Sequence, residues 1–420
     1  MRLSKRWKPA YVHVAPPESV TSRNAAAEVS PADVGLTARD VDAMWSAAVR
    51  LYQTGLHPAL ALCVRHRGAV VIDRALGHLR GNDPHDRPEA PKVPARHDSL
   101  FTLFSASKAI TAMLVQLYDE RGALRLDDPV EAYIPEFGCR GKQGATIRHV
   151  LTHRSGLPTV KDFPADIERI ADWDFVMRVL CAAPALSAPG QRLAYHAISG
   201  GFILGEILQR VTGKDIRTLL REDFAVPLGL STFDYGLPKP RRGDLARHAF
   251  TGHPPLPPLS WTVARAIGVG IRGVVELSNH PRFYDCVIPA GNIVTTANDA
   301  CRFFEMLRQG GTLDGVRVFD PRTITRATAH DGTLEIDSFI GVPIRYGMGF
   351  TLGNVGPSMY GWNAPHAYGH MGFTTVLAWA DPARELSACL MTSGKPFATP
   401  GQLRFVQLVY AIARTVPLTE

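Results

Sequence analysis

Ser105 and Lys108 stand three residues apart in Phe104-Ser105-Ala106-Ser107-Lys108, where an apolar, strand-like run over residues 100–104 gives way to a helical pattern ending near Gly122. Residues three apart share one face of a helix, so the spacing predicts a hydroxyl and an amine side by side. At a helix N-terminus the unpaired N–H groups and the dipole favour negative charge. A serine nucleophile needs a base beside it and donors for the oxyanion it creates, and Ser-x-x-Lys at a strand-to-helix junction offers both. The same residues also describe an N-cap serine followed by a solvated lysine. The weight therefore rests on what else the chain carries.

Two further stretches could share in such chemistry. Tyr195, in Leu193-Ala194-Tyr195-His196-Ala197, follows a Pro-Gly turn and precedes an apolar helix starting at Ser199. A phenol can carry a proton where a cation lowers its pKa, and Lys108 is the cation expected to do so. Tyr368-Gly369-His370-Met371-Gly372-Phe373 is a strand entry rich in small residues. Its glycines let backbone approach a substrate closely, and one of its N–H groups would complete an oxyanion site with that of Ser105.

Positioning these groups falls to the elements around them. Residues 37–53 read as an amphipathic helix with a Thr37/Asp40 capping box. Residues 59–66 and 69–79, split by Arg67-Gly68, read as a hairpin. The middle of the chain is mostly helical, with segments at 173–182 and 199–212, the latter closed by Gly213. Residues 238–288 contain Pro254-Pro255-Leu256-Pro257-Pro258, which no regular helix or central strand accommodates. That block reads as an excursion over the surface, either a pocket wall or lid or a plain connector, with a helical stretch from Trp261. A helix over 298–309 follows, then strands over 346–352, 367–372, 374–380 and 386–392 and a closing helix over 401–415.

This order predicts an α+β fold. An arm (1–35) precedes a lobe built from 36–100 and 289–420, with an antiparallel sheet flanked by terminal helices. A mainly helical lobe (101–237) and the 238–288 insertion complete it, and Ser105 lies at the seam between lobes.

Composition narrows the function classes. With 45% hydrophobic and 20% charged residues, the chain is an ordinary globular protein. Its net charge of +7 is spread too evenly to suggest a nucleic-acid groove. Six cysteines without Cys-x-x-Cys spacing, and no His-Glu-x-x-His, argue against a metal centre. His149 and His153 lie four apart, as on one helical face, and a structural role is expected of them. No cofactor is expected. The absence of an apolar leader or an 18-residue apolar run leads us to expect a cytoplasmic chain without a membrane span.

Jointly, Phe104-Ser105-Ala106-Ser107-Lys108, Leu126-Asp127-Asp128-Pro129-Val130, Ile147 through the His153-Arg154-Ser155-Gly156-Leu157-Pro158 stretch, Gly205-Glu206-Ile207, Pro289-Ala290-Gly291-Asn292 and Gly369-His370-Met371-Gly372 resemble the serine β-lactamase and penicillin-binding-protein superfamily. The likeness is greatest to class C β-lactamases and their esterase relatives, the family VIII carboxylesterases. The resemblance implies Ser105 as the acylated nucleophile, Lys108 as the base beside it and Tyr195 in the place of the Tyr-x-Asn tyrosine. His370-Met371-Gly372 takes the place of Lys-Thr-Gly, which makes His370 and Gly372 substrate-binding candidates. The N–H groups of Ser105 and Phe373 are then the expected oxyanion donors. Whether Lys108 or Tyr195 takes the serine proton stays open.

Two departures shift the expected substrate. Ala197 stands where a lactamase has Asn, and His370 where it has Lys. Alanine cannot hydrogen-bond the antibiotic's amide, and a histidine replaces the cation only partly near neutral pH. The expectation is therefore a serine ester hydrolase acting on a small-molecule ester. β-Lactamase or D-amino-acid peptidase activity, acyl transfer, and a silent binding protein on the same fold are the alternatives.

Overall fold

The computed structural model describes residues 8–160, 163, 166–255, 270–329 and 334–418. The helical stretch expected from Trp261 lies outside the described residues.

An edge strand β1 (Thr21–Arg23) leads to helix α1 (Ala38–Tyr52), then to strands β2 (Ala59–His66) and β3 (Ala69–Arg80). The expected capping box starts α1: the Asp40 N–H donates to Thr37 Oγ1 and the Thr37 N–H to Asp40 Oδ2. Arg67 and Gly68 turn the hairpin with φ of 51° and 86°, the left-handed pair that matches strand twist. Strands β4 (Val93–Pro94) and β5 (Phe101–Thr102) then lead into α2 (Ser107–Glu120). The helical middle contributes α3 (Ile147–Leu151), α4 (Trp173–Ala182) and α5 (Ser199–Thr212). After β6 (Phe233–Tyr235) and β7 (Ile293–Thr295) come α6 (Ala297–Arg308), β8 (Thr351–Leu352), β9 (Tyr368–Gly372), β10 (Val376–Asp381), β11 (Leu386–Thr392) and α7 (Leu403–Thr415).

The main sheet is antiparallel along β1-β3-β2-β11-β10-β9-β8, with β4 alongside β3, so both chain ends build it. Successive strand residues point to opposite faces. On β2, Leu60, Leu62 and Val64 pack under α1 and α7, whereas Ala59, Ala61 and Cys63 join the core shared with α2, α6 and the helices of the chain's middle. α2 is buried on nearly every side, from Ser107 to Leu117, as expected of a helix at the centre of a core. Among the described residues, no helix is long and apolar enough to cross a membrane.

Three local expectations change. Residues 21–23 of the predicted arm pair with β3, and the Glu28 carboxylate beyond them accepts two bonds of 2.7 Å from Arg74. Pairing with a distant strand leaves no local signature in such a short segment. The strand expected over 346–352 shrinks to Thr351–Leu352, because Gly349 (φ 95°) bends the chain where a Cβ would sit 2.1 Å from that of Ala112. The helix expected from Ser105 begins at Ser107, behind a 3₁₀ turn over Phe104–Ala106.

Candidate active site

The turn that carries Ser105 is held from both sides. The Leu103 N–H donates to the Ile293 carbonyl (2.8 Å), and β5 pairs with β7, tying the approach to Ser105 to a strand far along the chain. Phe104 then takes a left-handed φ of 49°, which a bulky L-residue adopts only when its surroundings hold it there. Its ring is packed by His248 (4.7 Å between centroids) and Phe373 (5.6 Å), with Lys395 Nζ 4.6 Å from its centre. This strained step turns Ser105 out at the head of α2.

Lys108 Nζ lies 3.1 Å from Ser105 Oγ and 3.1 Å from the Ala290 carbonyl. Gly201 on α5 lets that helix press on Ala290: a Cβ there would come within 2.6 Å of the Ala290 nitrogen. The lysine is only 8% exposed and, among the described residues, forms no ion pair. Burial therefore acts unopposed and lowers its pKa to about 7. Near neutral pH much of Lys108 is an uncharged amine with a lone pair beside the serine hydroxyl.

Tyr195 sits beside this pair, with Lys108 Nζ 5.0 Å from its ring centre and its hydroxyl hydrogen-bonded to Ser105. Its pKa moves opposite to the expectation. Burial raises it and the Asp337 carboxylate adds to the rise, with only the Ser105 bond opposing. The phenol stays protonated because desolvation outweighs the Ser105 hydrogen bond.

Histidines that were not singled out for the site frame Tyr195. The His153 ring packs on Tyr195 (4.9 Å) and Tyr346 (4.7 Å). The His196 N–H donates to His153 Nδ1 (3.2 Å), which makes Nδ1 the acceptor and leaves the proton on Nε2. His196 Nδ1 lies 2.6 Å from the Ala194 carbonyl, so its Nε2 accepts from Ser155 Oγ at 2.5 Å. The His153-x-Ser155 stretch was legible as a motif, but nothing local links it to Tyr195. His149 and His153 do not share a helical face: α3 ends at Leu151 and His153 turns left-handed (φ 61°), while His149 Nδ1 caps Thr146.

The end of β9 abuts the serine turn. A Cβ on Gly372 would sit 2.2 Å from the Leu103 carbonyl, so only glycine admits this approach. Phe373 follows it, and among the described residues neither its N–H nor that of Ser105 is taken by a carbonyl. His370 is 3% exposed, with its ring 6.2 Å from Tyr195. Its Nδ1 donates to the Met371 carbonyl (2.8 Å), leaving a buried Nε2 without a partner among the described residues. Burial and the nearby Lys108 lower its pKa to about 3, so it is neutral rather than the partial cation expected.

A match to the β-lactamase family model spans residues 46–411. The esterase/β-lactamase LipL of Mycobacterium tuberculosis is 29% identical over 321 residues, 71% of this chain and 70% of that protein. The crystal structure of a penicillin-binding-protein homologue from Caulobacter crescentus superposes with a TM-score of 0.77 at 28% identity, covering 91% of this chain and 99% of that one. The crystal structure of a family VIII carboxylesterase gives 0.76 at 23% identity, covering 91% and 99%, a likeness of fold.

Proposed function

The chain belongs to the β-lactamase family and is a serine hydrolase of that fold, and from this premise we propose that it cleaves small carboxylic esters through an acyl-enzyme on Ser105. The observation that carries the reading is the contact of Ser105 Oγ with a buried Lys108 that forms no ion pair among the described residues and whose pKa lies near 7. Lys108 Nζ accepts the hydroxyl proton as Oγ attacks the ester carbon. The Ser105 and Phe373 N–H groups hold the oxyanion of the tetrahedral intermediate. As it collapses, the Tyr195 hydroxyl gives its proton to the departing alkoxide and recovers one from the Lys108 ammonium. Water then attacks the acyl-enzyme along the same relay, releasing the acid and restoring Ser105. The unpartnered His370 Nε2 accepts a hydrogen bond from a substrate O–H or N–H.

Neutral His370 and apolar Ala197 support esters over lactams, since neither supplies the charge or amide that would engage an anionic antibiotic. The test compares wild type with Ser105→Ala on p-nitrophenyl acetate, butyrate and octanoate and on a chromogenic cephalosporin. Ester turnover that the variant loses, with little cephalosporin cleavage, is the expected result. Ester turnover retained by Ser105→Ala would overturn the mechanism, and cephalosporin turnover at comparable efficiency would reassign the substrate.

A further inference from the structure

On the face of the sheet opposite Ser105, α7 and its neighbours enclose a groove of 730 Å³, within the size range of small-molecule sites. Arg50 of α1, Arg404 and Arg414 of α7, and Arg384 line it, and among the described residues no carboxylate does. Arg384 is matched by Asp381 (2.8 Å). Among the described residues, Arg50, Arg404 and Arg414 form no ion pair; Arg404 donates only to Gln407 (2.7 Å). Ala411, Ala413, Val416 and Leu418 supply an apolar stretch of the lining, flanked by Tyr410 and by Trp362, which is 63% exposed; Asn363 and Gln407 are its uncharged polar members.

The groove is built rather than accidental. Arg384, 6% exposed, donates to the Ala413 carbonyl at the end of α7 (2.8 Å) and to the Asn363 carbonyl (3.3 Å). One buried guanidinium thus fixes the helix end against the turn that carries Trp362. Gly361 lets that turn lie on the helix, since a Cβ there would come within 2.4 Å of the Ala413 Cβ. A preorganised concavity loses little entropy on filling. Unpaired arginines call for a carboxylate or phosphate, which a guanidinium grips in a planar, bidentate way. An apolar lining beside an exposed indole calls for a hydrocarbon tail.

We propose that this groove binds a single-chain anionic amphiphile, its carboxylate or phosphate head on Arg50, Arg404 and Arg414 and its tail along Ala411, Val416 and Leu418 beneath Trp362. A concave site of this volume fits one chain better than a flat lipid surface, and its charge does not suit a second copy of a chain carrying +7. The site is independent of the ester chemistry.

The test is calorimetric titration of the full chain with dodecyl phosphate below its micelle concentration, with dodecyl maltoside as the uncharged control. Saturable one-to-one binding of the phosphate but not the maltoside is expected. It should weaken at least about tenfold in the Arg50→Ala/Arg404→Ala/Arg414→Ala variant, and also in Trp362→Ala. All these residues lie outside the proposed catalytic set, so p-nitrophenyl butyrate turnover should be unchanged, which separates the groove from an alkyl-binding active site. Equal binding of the maltoside, or undiminished binding by the triple variant, would overturn the proposal. So would binding only to phosphatidylglycerol vesicles and not to the monomeric amphiphile, which would make the face a lipid-surface contact. Self-association in sedimentation that dodecyl phosphate does not displace would assign the groove to a second copy and overturn it equally.

Discussion

Lys108 loses its proton near pH 7 because burial disfavours its charged form, and this one feature sets opposite requirements on activity and stability. In the proposed role of base it works deprotonated, so kcat/KM for a p-nitrophenyl ester should rise with pH through a limb near 7 and level above it. A limb absent between pH 6 and 8 would remove Lys108 from the role of base. Lys108→Met should abolish that activity yet melt at a higher temperature than wild type in calorimetry, because a well-packed apolar chain replaces an amine whose protonated form is penalised by burial. Tyr195→Phe tests the second group. The phenol is held protonated, so its loss should lower kcat by about 10²-fold with little change in KM; an unchanged kcat would leave the ring a packing role only.

At the level of elements, the serine turn and the end of β9 meet through a contact that admits no side chain. Gly372→Ala would push a methyl group to 2.2 Å from the Leu103 carbonyl, and also toward Val376, whose Cβ lies 2.9 Å away. The strand end must shift and carry the Phe373 N–H with it. Loss of one oxyanion donor costs about 10²- to 10³-fold in kcat elsewhere, and a fall of that order is expected here, with KM changed less. Normal kinetics in a stably folded Gly372→Ala protein would take the Phe373 amide out of the mechanism. The hairpin β2–β3, the α1 capping box and the end of α5 were legible in the sequence because their signals are local: a Gly turn, a Thr/Asp pair, a closing glycine. β1 was not, because its partner lies far along the chain, and β8 was shortened because Gly349 packs against Ala112 of α2, a contact no local pattern reports. Nor was the start of α2, which the packing around Phe104 moves to Ser107.

For the whole molecule, burial of basic groups predicts acid sensitivity. His57, His153, His196, His248 and His370 all have lowered pKa values through burial, three of them to about 3 or 4, and Lys395 falls to about 7 as Lys108 does. The unfolded chain protonates histidine near 6.5 and lysine near 10.4. Between the folded and unfolded values the unfolded state binds more protons, so stability rises with pH there. The lysine contribution thus grows upward from pH 7, and the histidine contribution is lost as pH falls below 6.5. The melting temperature should climb from pH 5 to pH 8, and Lys395→Met should flatten the slope above 7. A melting temperature independent of pH over this range would show that these side chains reach water. The sheet also needs both chain ends: removing residues from 400 onward strips α7 from Leu60, Leu390 and Trp379, and loss of the cooperative melt is the expected outcome.

The sequence by itself determined which residues could react and roughly where. The three-residue spacing of Ser105 and Lys108 marked the pair, whose side chains meet across the 3₁₀ turn into α2, and the motif order is enough to place the chain in its family. It also determined the antiparallel sheet assembled from the two chain ends, because alternating apolar residues and Gly or Pro turns act over a few residues at a time. Only the tertiary structure decided the protonation states: a lysine near 7, a tyrosine kept neutral, a histidine that carries no charge where a lysine would. Desolvation is a sum over side chains from α2, α5, β9 and the strands between them, brought together from across the chain. No residue's own neighbours in sequence report that sum.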